Sequence, residues 1–327
     1  MQKQTARAVI FSAPGQIDIK TVPICSDEGI LFRSELMAIS SGTEMLFYRG
    51  TIPEGIETDE SLAALSGQLS YPIKYGYMNV GRTESGERRF AFYPHQDLFY
   101  AQTADTVVLP DSVSSQDGVF LANMETAVGI VQDLSPVAGD DLLVVGQGTV
   151  GLLVAEILAL GGLYTVITSD CYPIRRSASK DIGCLCIDPD SGDAVEAIRE
   201  TTGGRGVDKA VNLSGSEDGL QLAIDSLAFE GEVLEASWYG SRETTLSLGT
   251  AFHRKRLSIR SSQVSNVAGR LALRWSKTRR LGFAVRMVEK IRPSKYITHT
   301  YSLEDAAAAF EHLDKSPEDT IQVVLKP

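Results

Sequence analysis

Short apolar runs broken by glycine and proline turns dominate the chain up to about Val119. Ala8–Ser12 and Ile17–Val22 flank a Pro14–Gly15 turn, and Gly29–Ser40 reads as a third strand. A polar, turn-rich stretch follows, and Tyr77–Thr83, Arg89–Tyr93 and Thr106–Leu109 continue the β pattern. From Val119 to about Gln263 the pattern changes to alternating strand and helix. Apolar runs at Leu142–Val145, Tyr164–Thr168, Cys184–Ile187, Lys209–Leu213 and Gly231–Ala236 are of strand length. Leu152–Leu160, Asp193–Thr201 and Glu217–Leu227 have helical character. Such alternation predicts a doubly wound parallel sheet. Beyond it, Arg279–Glu289 and Leu303–Leu313 read as helices and Thr320–Leu325 as a closing strand. The expected fold class is α/β: a Rossmann domain over 123–263, inserted in a β-rich domain made of 1–122 and 264–327.

The stretch Asp141–Asp170 carries the sharpest chemical signal. A strand is followed by Gly146, Gly148 and Gly151 in the spacing G-x-G-x-x-G, then a helix, a second strand and an acid. Gly146 suits a tight turn, Gly148 leaves room for a pyrophosphate, and Gly151 allows helix and strand to pack closely. Thr149, Val150 and Gly151 open the helix, whose free N–H groups attract phosphate. Asp170 stands 19 residues after Gly151 (170 − 151), where a carboxylate accepts from an adenosine ribose diol. A 2′-phosphate would meet a like charge there, so NAD is expected over NADP. Arg175 and Arg176 follow closely and could pair with a phosphate. A glycine turn that binds nothing is the bland alternative.

Composition narrows the class of partner. Of 327 residues, 43% are hydrophobic and 22% charged, as in ordinary globular proteins, and the length suffices for two domains. A net charge of −11 argues against nucleic acid and offers no basic patch to a membrane. The four cysteines show neither a CxxC pair nor a secreted framework. Without a signal peptide or an apolar run of bilayer length, a cytoplasmic location is expected.

The layout resembles the medium-chain dehydrogenase/reductase superfamily. The resemblance rests on SSGTEMLFYRG (Ser40–Gly50), YGYMNVGR (Tyr75–Arg82), GERRFAF (Gly86–Phe92), LANMETAV (Leu121–Val128), AVNLSGS (Ala210–Ser216) and EASWYG (Glu235–Gly240). The run Phe252–Val264 resembles a branch near threonine-dehydrogenase-like and bacteriochlorophyllide-dehydrogenase-like members. The resemblance implies a GroES-like catalytic domain beside the Rossmann domain, and a homodimer paired along the last sheet strand, around Leu257–Ser262. It also implies zinc ligands at positions that here hold Ser41, Tyr77 and Ala122. Zinc needs thiolate, imidazole or carboxylate donors, which these do not supply. The four-cysteine lobe is missing too, since His95–Thr103 contains no cysteine. His95 and His253 are the imidazoles considered for rebuilding a site. The expectation is a member with no zinc and no other metal.

Without zinc, a hydrogen-bond donor must polarise the substrate oxygen and a titratable group must exchange a proton. The resemblance places Thr43 at a proton-relay hydroxyl. It puts Tyr77 at a former metal position, where a phenol of lowered pKa would serve as acid/base; a ring plugging an emptied cavity is the alternative. Ser41 and Glu44 complete the expected catalytic group, with Glu44 behind the site or in a salt bridge. Phe92, Tyr93 and His95 fall on substrate-pocket positions, although a satisfied surface histidine is the commoner arrangement and the favoured reading of His95. Glu125 either faces the cleft or caps a helix. Ser214, Trp238 and Tyr239 sit at later strand ends expected to meet the cofactor. His253–Arg256 forms a basic cluster for an anion or a solvated face, and the polar loop Thr51–Tyr71 is expected to shape the pocket.

The expected activity is hydride transfer between NAD(H) and a secondary alcohol or ketone of a small molecule, such as a sugar or a biosynthetic intermediate. An NADPH-dependent quinone or enone reductase is the second reading, and a non-catalytic dinucleotide sensor the third.

Overall fold

The computed structural model describes residues 4–24, 29–53 and 70–327. Its contacts divide the chain into two compact units, Met1–Ala122 with Val285–Pro327, and Asn123–Ala284. Residues 264–284, assigned from the sequence to the first domain, pack in the second unit. Glu125 and Arg280 tie this segment there by a buried ion pair.

The first unit is β-rich. Strands β1 (Thr5–Ala13) and β2 (Gln16–Pro23) form an antiparallel hairpin. A larger sheet contains β3 (Ile30–Ala38), β4 (Asn79–Thr83), β5 (Arg88–Ala91), β6 (Leu98–Ala101) and β7 (Thr106–Val108). The chain's last strands, β14 (Ile297–Ser302) and β15 (Gln322–Lys326), join it in the order β14-β15-β3-β4-β5-β7, with β6 also paired to β3. The returning tail therefore completes the first sheet. Helix α1 (Thr43–Arg49) opens with Glu44, a charge that suits the helix N-terminus. Short α2 (Ser115–Gly118) is capped by Ser114, which accepts from the Asp117 N–H. The core joins Val9, Phe11, Met37, Phe47, Phe310 and Leu325, contributed by strands and helices far apart in sequence.

Helix α3 (Leu121–Leu134) begins where the apolar-to-alternating change was read. The second unit then alternates β8 (Asp141–Val145), α4 (Thr149–Ala159), β9 (Thr165–Ser169), α5 (Pro173–Asp181), β10 (Leu185–Ile187), α6 (Ala194–Thr201), β11 (Val207–Asn212), α7 (Glu217–Asp225) and β12 (Leu227–Glu235). Short α8 (Ala251–Arg254) and β13 (Ser258–Ser261) follow, and α9 (Lys277–Ile291) and α10 (Ala306–Lys315) complete the helices described here. The sheet is parallel in the order β10-β9-β8-β11-β12-β13. This is the doubly wound arrangement, and its direction reverses between β8 and β11. Strand β12 starts four residues before the expected Gly231 (231 − 227), because Leu227 already pairs with Val207. No helix among the described residues is long and apolar enough to cross a membrane.

Candidate nucleotide and hydroxyl sites

The glycine elbow lies at the switch between β8 and β11. Gly146 has φ +89°, and a Cβ there would come within 2.6 Å of the Ser214 backbone nitrogen, so this position demands glycine. A Cβ on Gly151 would lie 1.8 Å from Gly146 O. Helix α4 can approach β8 this closely only with no side chain there. Gly148 faces mostly open space, so a pyrophosphate can reach its backbone. Gly148 also N-caps α4 without a side-chain hydrogen bond. The first amides of α4, from Thr149, Val150 and Gly151, have no carbonyl within the helix to bond. Asp170 stands just past the end of β9, where its Oδ2 accepts from the Gln147 N–H at 2.7 Å and its Oδ1 from the Tyr172 N–H at 2.8 Å. A carboxylate offers about four lone-pair sites, so capacity remains for a ribose diol. Arg175 Nη1 is 3.9 Å from Asp170 Oδ2 and faces the Gly148 position. Arg176 is committed elsewhere, to Asp188 at 2.7 Å and the Asp170 carbonyl at 2.9 Å.

A polar network occupies the ends of β11 and β12. Ser214 Oγ donates to Asn212 Oδ1 at 2.7 Å, and Asn212 Nδ2 donates to Glu235 Oε2 at 2.7 Å. The Tyr239 hydroxyl lies 3.1 Å from Glu235 Oε2, and burial followed by the Glu235 charge raises its pKa. Trp238 is exposed. Asn212, Glu235 and Gln147 were not singled out from the sequence; the register of two neighbouring strands brings the first two together. Glu125 lies inside α3 rather than at its cap, and Arg280 donates to its Oε1 through Nε at 3.1 Å and Nη2 at 3.0 Å. Burial raises the Glu125 pKa against the pull of Arg280. The basic cluster is dispersed: Lys255 donates to the Leu227 carbonyl and Arg256 pairs with Glu230.

In the first unit, Thr43, Glu44, Tyr77 and His95 converge. Glu44 and His95 are both wholly buried, with Oε2 and Nε2 2.7 Å apart. The other Glu44 oxygen accepts from the Ser40 N–H at 3.0 Å. His95 is therefore no surface histidine. Its Nδ1 is buried without a hydrogen-bond partner, and its ring packs where a Gly76 side chain would stand. The Tyr77 hydroxyl donates to Ser40 Oγ at 2.7 Å. Its pKa is pushed up to about 12 by burial and by the Glu44 charge, against hydrogen bonds with Ser40 and Thr43. The expected lowering is thus reversed, because the low-dielectric surroundings and a neighbouring carboxylate both oppose a phenolate. Ser41 is exposed, and the serine that meets Tyr77 is its neighbour Ser40, which the sequence reading passed over.

Phe92 packs edge-on against Phe90, and Tyr93 stacks on Phe99 with centroids 3.8 Å apart and Lys74 Nζ above its ring. Burial lowers the Lys74 pKa. The loop expected to shape the pocket lies largely outside the described residues, at 54–69.

A parallel sheet of this order with a glycine elbow at its switch point defines a dinucleotide-binding α/β protein. Comparison with known proteins narrows the class. Residues 149–278 match the family model described as zinc-binding dehydrogenase. The chain is 31% identical over 259 residues to (R,R)-butanediol dehydrogenase of Bacillus subtilis (strain 168), covering 78% of this chain and 68% of that protein. It is 32% identical over 226 residues to the uncharacterized zinc-type alcohol dehydrogenase-like protein YphC of Escherichia coli (strain K12), covering 66% of this chain and 59% of that protein. The crystal structure of 2R,3R-butanediol dehydrogenase from Bacillus subtilis shares the fold with a TM-score of 0.79 at 19% identity, covering 98% of this chain and 99% of that one. The chain belongs to the zinc-binding dehydrogenases of the medium-chain dehydrogenase/reductase superfamily, and is an oxidoreductase of the dehydrogenase class.

The family name implies zinc, and the residues at the corresponding positions do not fit it. Ala122 has no donor, Ser41 carries a neutral hydroxyl, and the Tyr77 phenol is held protonated and already bonded to Ser40. The residues around the elbow do fit a dinucleotide, since Gly146 and Gly151 are forced by contact and Asp170 retains acceptor capacity.

Proposed function

We propose that the chain is an NAD(H)-dependent dehydrogenase of secondary alcohols or ketones that works without zinc at the family's catalytic position. The observation that carries this reading is the Tyr77 hydroxyl, a protonated donor placed with Ser40 and Thr43 where the family resemblance locates a metal ligand. Nicotinamide supplies hydride exchange when bound. With substrate bound, the Tyr77 O–H turns from Ser40 Oγ to the substrate oxygen and the Ser40 O–H donates to the phenol oxygen in its place, orienting it, while Thr43 holds the same substrate oxygen. Glu44 and His95 fix α1 and the segment before β4 behind these hydroxyls, and so act as positioning residues. A secondary alcohol is supported by the relative named for butanediol. NAD is supported by Asp170, whose charge opposes a 2′-phosphate.

The placement of Arg175 beside Asp170 and Gly148 favours a second reading, an NADPH-dependent quinone or enone reductase. Rates with NADH and NADPH against carbonyl and enone panels separate the two. Tight NADH binding with turnover on neither panel points instead to a dinucleotide sensor. The zinc-free reading is tested by chelator-dialysed enzyme, which should keep its turnover; activity lost on dialysis and restored by zinc would sink it. A cytoplasmic homodimer joined along the exposed side of β13, at the sheet edge, completes the proposal. Light scattering on wild type and a charged β13 variant checks the dimer.

A further inference from the structure

The helices and strands that return to the first unit bring three metal-ligating side chains together. His299 lies on β14, His312 on α10, and Asp319 ends the short turn Pro317–Asp319 that leads toward β15. One ligating atom from each lies within 4.8 Å of the other two. His312 Nε2 is 2.8 Å from Asp319 Oδ1. The two imidazoles meet edge to face with centroids 4.4 Å apart. His299 Nδ1 is buried and has no hydrogen-bond partner. The Tyr301 hydroxyl is hydrogen-bonded to His312 Nδ1.

We propose that His299, His312 and Asp319 form a binding site for a divalent transition ion of the zinc class, separate from the positions where the family resemblance locates zinc. Two imidazoles and one carboxylate are a donor set suited to Zn²⁺, Co²⁺ or Ni²⁺, and poorly suited to Mg²⁺ or Ca²⁺, which prefer oxygen throughout. Around a tetrahedral ion with bonds of about 2.0–2.1 Å, neighbouring donor atoms stand roughly 3.3 Å apart. The present spacing, 2.8 Å for one pair and no more than 4.8 Å for any, brackets that value. Side-chain rotation closes the difference while the backbone stays in place.

Tyr301 prepares the ring of His312 for this role. When Nε2 gives its lone pair to the ion, Nδ1 carries the proton and donates it to the Tyr301 oxygen, which fixes both tautomer and ring orientation. Asp319 is exposed, so the ion has a path in, and three protein ligands leave a fourth position for water. As a bare ion pair, His312 and Asp319 would contribute little, since the carboxylate side chain is 55% exposed. That pair also does nothing for the unpartnered His299 nitrogen. An ion shared by all three would join strand, helix and turn where the end of the chain completes the first sheet. The site is structural and independent of the dehydrogenase reading.

The test uses the full chain after dialysis against EDTA. Calorimetry with ZnCl₂ and visible absorption with Co²⁺ should both give one equivalent. The thermal midpoint should rise by about 5 °C at a hundredfold excess of zinc over Kd. Asp319→Asn, at an exposed position, should weaken binding at least tenfold without changing the metal-free midpoint, and His312→Ala should abolish it. Binding no tighter than about 1 mM would overturn the proposal. So would binding of unchanged affinity in both variants. Metal retained in Asp319→Asn and His312→Ala but lost in Tyr77→Phe would overturn this site and the zinc-free reading together. Loss of turnover in chelated enzyme, restored by zinc equally in wild type and Asp319→Asn, would sink only the zinc-free reading.

Discussion

The glycine elbow and the Glu44–His95 cluster solve opposite problems. The elbow is made of backbone: Gly146, Gly148 and Gly151 succeed by having nothing on their Cα, and Asp170 completes the arrangement from the next strand. The Glu44–His95 cluster is made of side chains drawn from separate segments, with partners 51 residues apart. One is open to a ligand; the other is wholly buried at its centre. An elbow of this kind fails when atoms are added, and a buried polar cluster fails when atoms are removed.

The largest test of that contrast is Glu44→Ala. It leaves the buried His95 Nε2 without its partner and opens a cavity, and should cost about 3 kcal/mol of stability. Glu44→Gln should recover part of the loss. Denaturant titration measures both, and a cost below about 1 kcal/mol would mean that the cluster does not hold the first unit together.

Gly151→Ala comes next. Its Cβ cannot coexist with Gly146 O at 1.8 Å, so the elbow must shift. NADH affinity, read by fluorescence titration, should fall by about a hundredfold, roughly 2.7 kcal/mol. Retained affinity would show an elbow far softer than its contacts imply.

Tyr77→Phe should lower kcat by about a hundredfold while leaving NADH affinity intact, the usual scale for one donor to a developing oxyanion. Unchanged turnover would leave Tyr77 as packing alone. The same variant has a second signature at high pH. In the unfolded chain the phenol ionises near its ordinary value of 10.0, and in the folded chain at about 12. Stability owed to the neutral phenol is therefore complete below pH 10 and drains away between about 10 and 12. Wild type should lose stability more steeply than Tyr77→Phe across that window.

The smallest effect is on cofactor choice. Asp170→Asn removes the charge that opposes a 2′-phosphate and leaves Arg175 beside it. The ratio of kcat/KM for NADPH over NADH should rise about tenfold, or roughly 1.4 kcal/mol. No change would mean that Asp170 serves only to brace the Gln147 and Tyr172 amides.

The elbow was legible because its parts lie within a single strand–turn–helix–strand run, where spacing alone dictates geometry. The doubly wound sheet was legible for the same reason, since alternating periodicities leave few ways to order parallel strands. The hydroxyl cluster was legible only in outline. Family resemblance pointed to Thr43, Glu44, Tyr77 and His95, yet the structure bonds Tyr77 to Ser40, a residue outside the expected group, and buries His95. Which of the two adjacent serines meets Tyr77 depends on how the chain runs from β3 into α1, and periodicity does not encode that. The Tyr77 pKa was misjudged in direction because desolvation belongs to the packed environment and not to the residue. Glu125 reads as a cap or a cleft residue until Arg280, 155 positions later, is seen to hold it.

Local chemistry in the chain determined where the backbone turns, which runs form strands, and where a dinucleotide phosphate can approach. These outcomes follow from sterics and hydrogen bonding over a few residues. Tertiary structure alone decided which polar groups share a buried environment: Glu44 with His95, Asn212 with Glu235 and Tyr239, and His299 with His312 and Asp319. The physical reason is that dielectric, partner and proton affinity are properties of a neighbourhood, and folding assembles each neighbourhood from residues that are distant along the chain.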